Sequence, residues 1–157
     1  MTRPDLSAPA SAAHQTHRSM RILGRHGDEL HAVATLLTDD ADLAMRLVVR
    51  AIVAPRDGSV ATLRELSASV VRHWLDGHPA RLAPVPPTSS PTLVEAVHAL
   101  PAHHRAALAL CRFGDHTYRE AAVLLDVPAS TVAELLAATL RSLRAPDATP
   151  DAAPVTV

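Results

Sequence analysis

The sequence predicts an all-α fold made of two small helical domains that are joined by a proline-rich linker. Aromatic residues are only 2% of the 157 residues, whereas β-sheets depend on aromatic and β-branched side chains to fill a half-buried surface. Ala and Leu, which are strong helix formers, are abundant instead. Apolar residues recur at helical spacing in two blocks, and the stretch between the blocks, 76–91, contains five prolines that cannot continue a helix.

This pattern divides the chain into five segments. Residues 1–18 lack helical periodicity and are expected to form a disordered arm. The first helical domain covers 19–75, the linker 76–91 and the second helical domain 92–144. Residues 145–157 are rich in Pro, Asp and Ala, which is typical of a disordered tail.

The first block is predicted to contain three amphipathic helices. Their apolar stripes run over 30–37, 43–52 and 63–74. Thr38, Asp39 and Asp40 offer capping oxygens for the second helix. Helices of this length cannot bury their stripes alone, so we expect them to pack on one another.

The second block has the spacing of a helix-turn-helix. A short helix over 93–100 is followed by a helix from Ala102 to Phe113. Thr117 and Glu120 then form a capping-box pattern that opens another short helix. A tight turn over 126–128 leads to the last helix, and its inward stripe is predicted to be Val132, Leu136, Leu140 and Leu143.

A family resemblance rests on a gapless pattern in this second block. The matching positions are Leu100-Pro101, Arg105, Leu110, Phe113, Thr117 to Ala122, Leu124 to Pro128 and Thr131-Val132. This pattern resembles the C-terminal promoter-binding domain of bacterial sigma factors, and it is most similar to the extracytoplasmic-function group. The first block is similar to the N-terminal domain of that family in outline, with Met45-Arg46 where the family usually has Gln-Glu.

The resemblance implies a sigma-factor-like, cytoplasmic regulator of transcription initiation that binds promoter DNA and core RNA polymerase. The last helix would lie in the major groove, and the candidate DNA-binding residues are Arg119, Ser130, Thr131, Glu134, Arg141 and Arg144. The candidate partner-binding residues are Asp42, Leu43, Arg46, Arg50, Leu135 and Ala138.

The last helix also supports an alternative function. The family has a Lys/Arg-rich outward face there, but this chain has Ala133, Glu134, Leu135, Ala137 and Ala138. The chain would then be a diverged sigma-like interaction module that binds polymerase, an anti-sigma partner or itself, with little or no DNA binding. A third hypothesis is a helix-turn-helix regulator that is unrelated to polymerase.

Other function classes find little support in the sequence. We find no Gly-rich phosphate loop, G-x-S-x-G or H-E-x-x-H motif, so we expect neither an enzyme nor a cofactor. The ten histidines lack zinc-like spacing, which predicts no metal site. Cys111 is the single cysteine, which fits a reducing compartment, and no apolar run is long enough to predict a membrane helix.

Overall fold

The computed structural model describes residues 7–54, 61–77 and 92–144, and these residues form seven α-helices and no strand. The all-α prediction is therefore confirmed. The helices are α1 (Ser7–Leu37), α2 (Ala41–Val53), α3 (Leu63–Gly77), α4 (Leu93–His98), α5 (Ala102–Arg112), α6 (Tyr118–Leu125) and α7 (Ala129–Arg144). The predicted tail, 145–157, and most of the predicted linker lie outside the described residues.

The start of α1 corrects the predicted disordered arm. The helix begins at Ser7, although residues up to 18 were expected to lack structure. Residues 7–18 contain several alanines, and they extend a helix that is already nucleated by its packed C-terminal half, so each added residue needs no new nucleation. Gln15 Nε2 donates to the carbonyl oxygen of Val53 at 3.4 Å and joins this extension to the end of α2.

The first three helices pack through the stripes that the sequence predicts. Leu30, Leu37, Leu66 and Val70 have no exposed surface, and α1 packs against both α2 and α3. Asp40 caps α2, because its Oδ1 accepts from the amide of Leu43 at 2.9 Å.

The inward face of α7 differs from the prediction. Val132 is fully buried and Leu136 is partly buried, but Leu140 is 51% exposed and Thr139 is buried in its place. At 100° per residue, Thr139 lies only about 20° from the direction of Val132, whereas Leu140 lies about 80° away. The hydroxyl of Thr139 lies 3.4 Å from Nδ1 of His104, so a polar side chain is accommodated there. The side chain of Leu143 lies outside the described part.

The two helical blocks contribute to one hydrophobic cluster. Helix α5 packs against α1 and α3, and its alanines, including Ala106 and Ala109, are fully buried. Because alanine side chains are small, the backbones of neighbouring helices can approach closely. Trp74 of α3 lies in the same cluster, and the guanidinium of Arg105 sits 5.2 Å from its ring centroid.

Among the described residues, no single helix is long and apolar enough to cross a membrane, although α6 and α7 reach that length and composition when they are taken together.

Candidate functional site

Helices α6 and α7 form the helix-turn-helix that the sequence predicts. Their axes are bent by 110°, which lies in the range of 90–120° of helix-turn-helix units. Asp126 ends α6 in the left-handed conformation, with φ 53° and ψ 46°, which aspartate tolerates better than most residues. The amide of Val127 donates to the carbonyl of Ala122 at 3.1 Å and closes the turn.

The start of α6 is fixed by the capping box. The amide and hydroxyl of Thr117 donate to Oε2 of Glu120 at 2.8 and 2.9 Å, and the amide of Glu120 donates back to the hydroxyl of Thr117 at 3.3 Å. These hydrogen bonds from Thr117 are the main cause that lowers the pKa of Glu120. The first helix of the unit is therefore fixed by contacts within four residues.

Arg64 on α3 attaches this unit to the first block. Its Nη1 donates to Oε1 of Glu120 at 2.6 Å, and its Nε donates to the carbonyl oxygen of Asp115 at 2.9 Å. Nη2 also reaches the carboxylate of Asp115 at 3.3 Å. The role of Arg64 was not predicted from the sequence. Its partners lie more than fifty positions away, and no local sequence pattern indicates these contacts.

Most of the predicted DNA-binding residues on α7 share one exposed stripe. Ser130, Glu134 and Arg141 are exposed, and their spacing keeps them on the same side of the helix. Thr131 is half-buried beside them. Arg144 belongs to the last turn of α7, but its side chain lies outside the described part.

Arg119, the remaining DNA-binding candidate, is exposed on α6. Its guanidinium lies 5.7 Å from the ring centroid of Tyr118, and its Nε donates to the tyrosine hydroxyl at 3.2 Å. The aromatic ring therefore orients this arginine at the surface of the first helix of the unit.

The exposed face of α7 carries little positive charge. Among its described side chains, Arg141 is the single cation and Glu134 the single anion. The apolar residues Ala133, Ala137 and Leu140 are also exposed on this helix. This face therefore offers few cations for phosphate and keeps apolar side chains exposed to solvent.

The partner-binding candidates on α2 lie on its solvent side. Asp42, Arg46 and Arg50 are exposed, whereas Leu43 is half-buried and packs against the core. Arg46 lies 3.9 Å from the carboxylate of Asp40 in an exposed ion pair.

Three apolar residues of α2 are also exposed and were missed by the sequence reasoning, namely Met45, Val49 and Val53. Their four-residue spacing is the signal that could have found them, since such residues follow one helical face.

Leu135 and Ala138 are half-buried on α7, which packs against α4, α5 and α6. These two candidates therefore belong to the helix-turn-helix and not to the α2 surface.

Some of the described histidines contact neighbouring elements of the fold. Nε2 of His98 lies 2.8 Å from the carbonyl oxygen of Thr35, which joins α4 to α1. Burial lowers the pKa of His104, and the neighbouring His103 lowers it further. In the described ranges, no three His, Cys, Asp or Glu side chains are grouped so that they could hold a metal ion.

Comparison with protein families gives one match, which covers the second block. Residues 92–143 match the family model described as sigma-70, region 4, and the segment contains α6 and all but the last residue of α7. Searches of curated proteins and of solved structures found no match.

Proposed function

We propose that the chain is a sigma-factor-like regulator of transcription, because residues 92–143 match the family model of sigma-70, region 4. The chain binds promoter DNA and core RNA polymerase and influences transcription initiation. This role places the chain in the cytoplasm, where polymerase and DNA are found, and a region 4 domain points to a factor without catalytic activity.

The exposed N-terminal turn of α7 is the observation that best supports DNA binding. Pro128 precedes the helix, and the amide of Val132 is the first to bond back, to the Pro128 carbonyl at 3.2 Å. The earlier amides, of Ala129 to Thr131, therefore have no partner within the helix, and Ser130 beside them is exposed. Backbone amides at a helix N-terminus are suited to a phosphate oxygen.

The charge balance predicts that DNA binding is weak without polymerase. Residues 92–144 contain five arginines and five acidic residues, and Arg64 engages two of those acids from α3. Each phosphate contact contributes about −0.9 to the salt slope of DNA binding, so Arg119 and Arg141 together supply a slope of about −2. We therefore propose that contacts with polymerase supply the remaining affinity.

The exposed face of α2 is the surface that we propose for polymerase. Asp42, Arg46 and Arg50 lie on this face together with the apolar side chains of Met45 and Val49. A mixture of apolar and charged side chains is typical of protein interfaces that form and dissociate. This assignment rests on the resemblance of the first block to the N-terminal domain of sigma factors.

A titration of the full chain into labelled promoter duplexes tests the DNA-binding part. We expect binding at low salt that weakens at moderate salt and strengthens when core RNA polymerase is added. Arg141→Glu should weaken binding and reduce the salt slope by about one, whereas Arg25→Glu, an exposed charge reversal on α1, should leave both unchanged. Equal binding of the two variants would refute a role for the α7 face.

A second candidate function is a protein-interaction module with little DNA binding. It is favoured by the exposed apolar surface of the helix-turn-helix, where Val123 on α6 is 82% exposed and Leu140 on α7 is about half exposed. The partner would be polymerase, an anti-sigma protein or a second copy. Leu140→Arg is a cleaner test of this surface than Leu135→Arg, because Leu135 is half-buried.

The two functions make opposite predictions for purified components. If the interaction module is correct, Leu140→Arg abolishes capture of core polymerase or self-association, and no salt-dependent DNA binding is detected. If the DNA-binding function is correct, Leu140→Arg adds a cation to the face that meets DNA and strengthens binding to the duplex.

A further inference from the structure

The junction between α3 and the helix-turn-helix is built around a buried imidazole. His116 lies in the turn that leads into α6, and only 8% of it is exposed. Its Nε2 lies 3.0 Å from the carbonyl oxygen of Arg64 and 3.2 Å from the hydroxyl of Ser67. The Ser67 hydroxyl is fully buried and lies 3.0 Å from the carbonyl oxygen of Gly114. The turn and α3 are thus joined by direct polar contacts.

The hydrogen-bond partners determine which nitrogen of His116 carries the proton. A carbonyl oxygen can only accept, so Nε2 must donate to Arg64. Nδ1 is then the unprotonated nitrogen, and it is buried with no hydrogen-bond partner among the described residues. The site therefore accommodates a neutral imidazole, since a proton on Nδ1 would place a buried charge without a bonding partner.

Charged groups from three sides of the junction face this imidazole. Arg64 comes from α3, Asp115 from the turn and Glu120 from α6. The charge of Glu120 also contributes to raising the pKa of the half-buried Cys111 thiol on α5, after burial. The guanidinium of Arg64 binds both carboxylates, which limits how far they can stabilise an imidazolium. Burial is the largest influence, and it lowers the pKa of His116 although the Arg64 carbonyl and the two carboxylates oppose it.

We propose that His116, Ser67 and Arg64 form a proton-sensitive latch, which holds the turn before α6 against α3 while the imidazole is neutral and releases it when the imidazole is protonated. Release would separate Arg64 from Glu120. The helices α6 and α7 would then be attached to the rest of the chain only through their packing against α5 and α4. The latch rests on the geometry of the junction and is independent of the function proposed above.

The sign of the pH response follows from the direction of the shift. A histidine whose pKa is lower in the closed state binds its proton more readily in the open state. The closed state is therefore fully favoured above the ordinary histidine pKa of 6.5, and it is progressively lost as the pH falls below that value.

Amide hydrogen exchange of the full chain tests the latch at the residues that form it. The amides of Gly114 and His116 donate to the Leu110 carbonyl at 3.1 Å and report directly on the turn. After correction for intrinsic rates, we expect their protection to fall about threefold to tenfold between pH ~7.5 and pH ~5.5, the range expected for one proton. Unchanged protection in the wild-type chain would overturn the proposal.

Two variants separate the latch from a general effect of acid. His116→Gln keeps a neutral donor in place of Nε2, so the exchange of the turn should no longer depend on pH. His31→Gln removes an exposed histidine on α1 and should behave like the wild-type chain. An identical pH response in His116→Gln would show that another group causes the opening.

A titration of the wild-type imidazoles by NMR keeps the proposal testable if His116→Gln does not fold. We expect His116 to titrate below the ordinary histidine pKa of 6.5, with the turn amides shifting at the same midpoint. A His116 midpoint at or above 6.5 would overturn the proposal.

Discussion

Replacing Gly114 with alanine tests the close contact between α5, the turn and α3. An added Cβ would lie 2.8 Å from the carbonyl oxygen of Leu110, 2.8 Å from the Ser67 hydroxyl oxygen and 3.0 Å from the Ser67 Cβ. The Leu110 oxygen belongs to the backbone of α5 and accepts from the amides of Gly114 and His116. It cannot move away without breaking bonds that define the turn, so the clash must strain the junction.

The magnitude follows from the cost of overpacking. Extra atoms in a well-packed core cost about 1–3 kcal/mol, and the rigid backbone neighbour places Gly114→Ala in the upper half of that range. Alanine also restricts the unfolded chain, which offsets about 0.4–1 kcal/mol. We expect a net loss of about 2 kcal/mol in the free energy of unfolding, or about 4–8 °C in Tm for a chain of this size.

Urea unfolding followed by circular dichroism measures this loss, and Gly24→Ala is the matched control. Gly24 lies in the middle of α1, and a Cβ there would have no atom within 4 Å. The same substitution should therefore stabilise the chain by about 0.5–1 kcal/mol through helix propensity. If Gly114→Ala proved as stable as the wild-type chain, the packing of α3 against the turn would be refuted.

Three further predictions concern stability and reactivity. Leu110→Ala removes a fully buried side chain and should cost about 2–5 kcal/mol, whereas Leu140→Ala should change stability by less than about 0.5 kcal/mol in the same urea assay; the reverse order would contradict the face assigned to α7. Burial raises the pKa of the half-buried Cys111 thiol. A disulfide reagent should therefore react more slowly with Cys111 in the folded chain than with the free thiol of glutathione, and the two rates should be similar in urea. The free energy of unfolding should fall as the pH drops below 6.5, because the pKa of His116 is lowered in the folded chain, and again below about 4.5, because the pKa of Glu120 is lowered too. Constant urea midpoints from pH ~8 to pH ~4 would refute the pH dependence.

Local signals made the helix-turn-helix predictable. The capping box at Thr117 and Glu120 and the turn at Asp126 to Pro128 determine where α6 begins and ends, and both act within a few residues. Helical spacing likewise predicted the buried faces of α1 to α3. The prediction for Leu140 was wrong, because Thr139 lies closer than Leu140 to the direction of Val132 on the helix and is buried although it is polar.

The contacts between the blocks could not be predicted, because they join residues far apart in the sequence. Arg64 and Glu120 are 56 positions apart, and neither residue type indicates the other as its partner. The burial of His116 depends on the same packing, since its ring is covered only when α3 meets the turn. Surface residues such as Arg141 were predicted from resemblance and helix direction, and their contribution to binding stays a prediction.

Transcription by purified bacterial core RNA polymerase, with and without the full chain, tests the central claim most directly. On a pool of promoter fragments, the account predicts that adding the chain changes which start sites are used, and that Arg141→Glu weakens this change while Arg25→Glu does not. An unchanged set of transcripts, from a polymerase that also fails to retain the chain on gel filtration, would contradict the account.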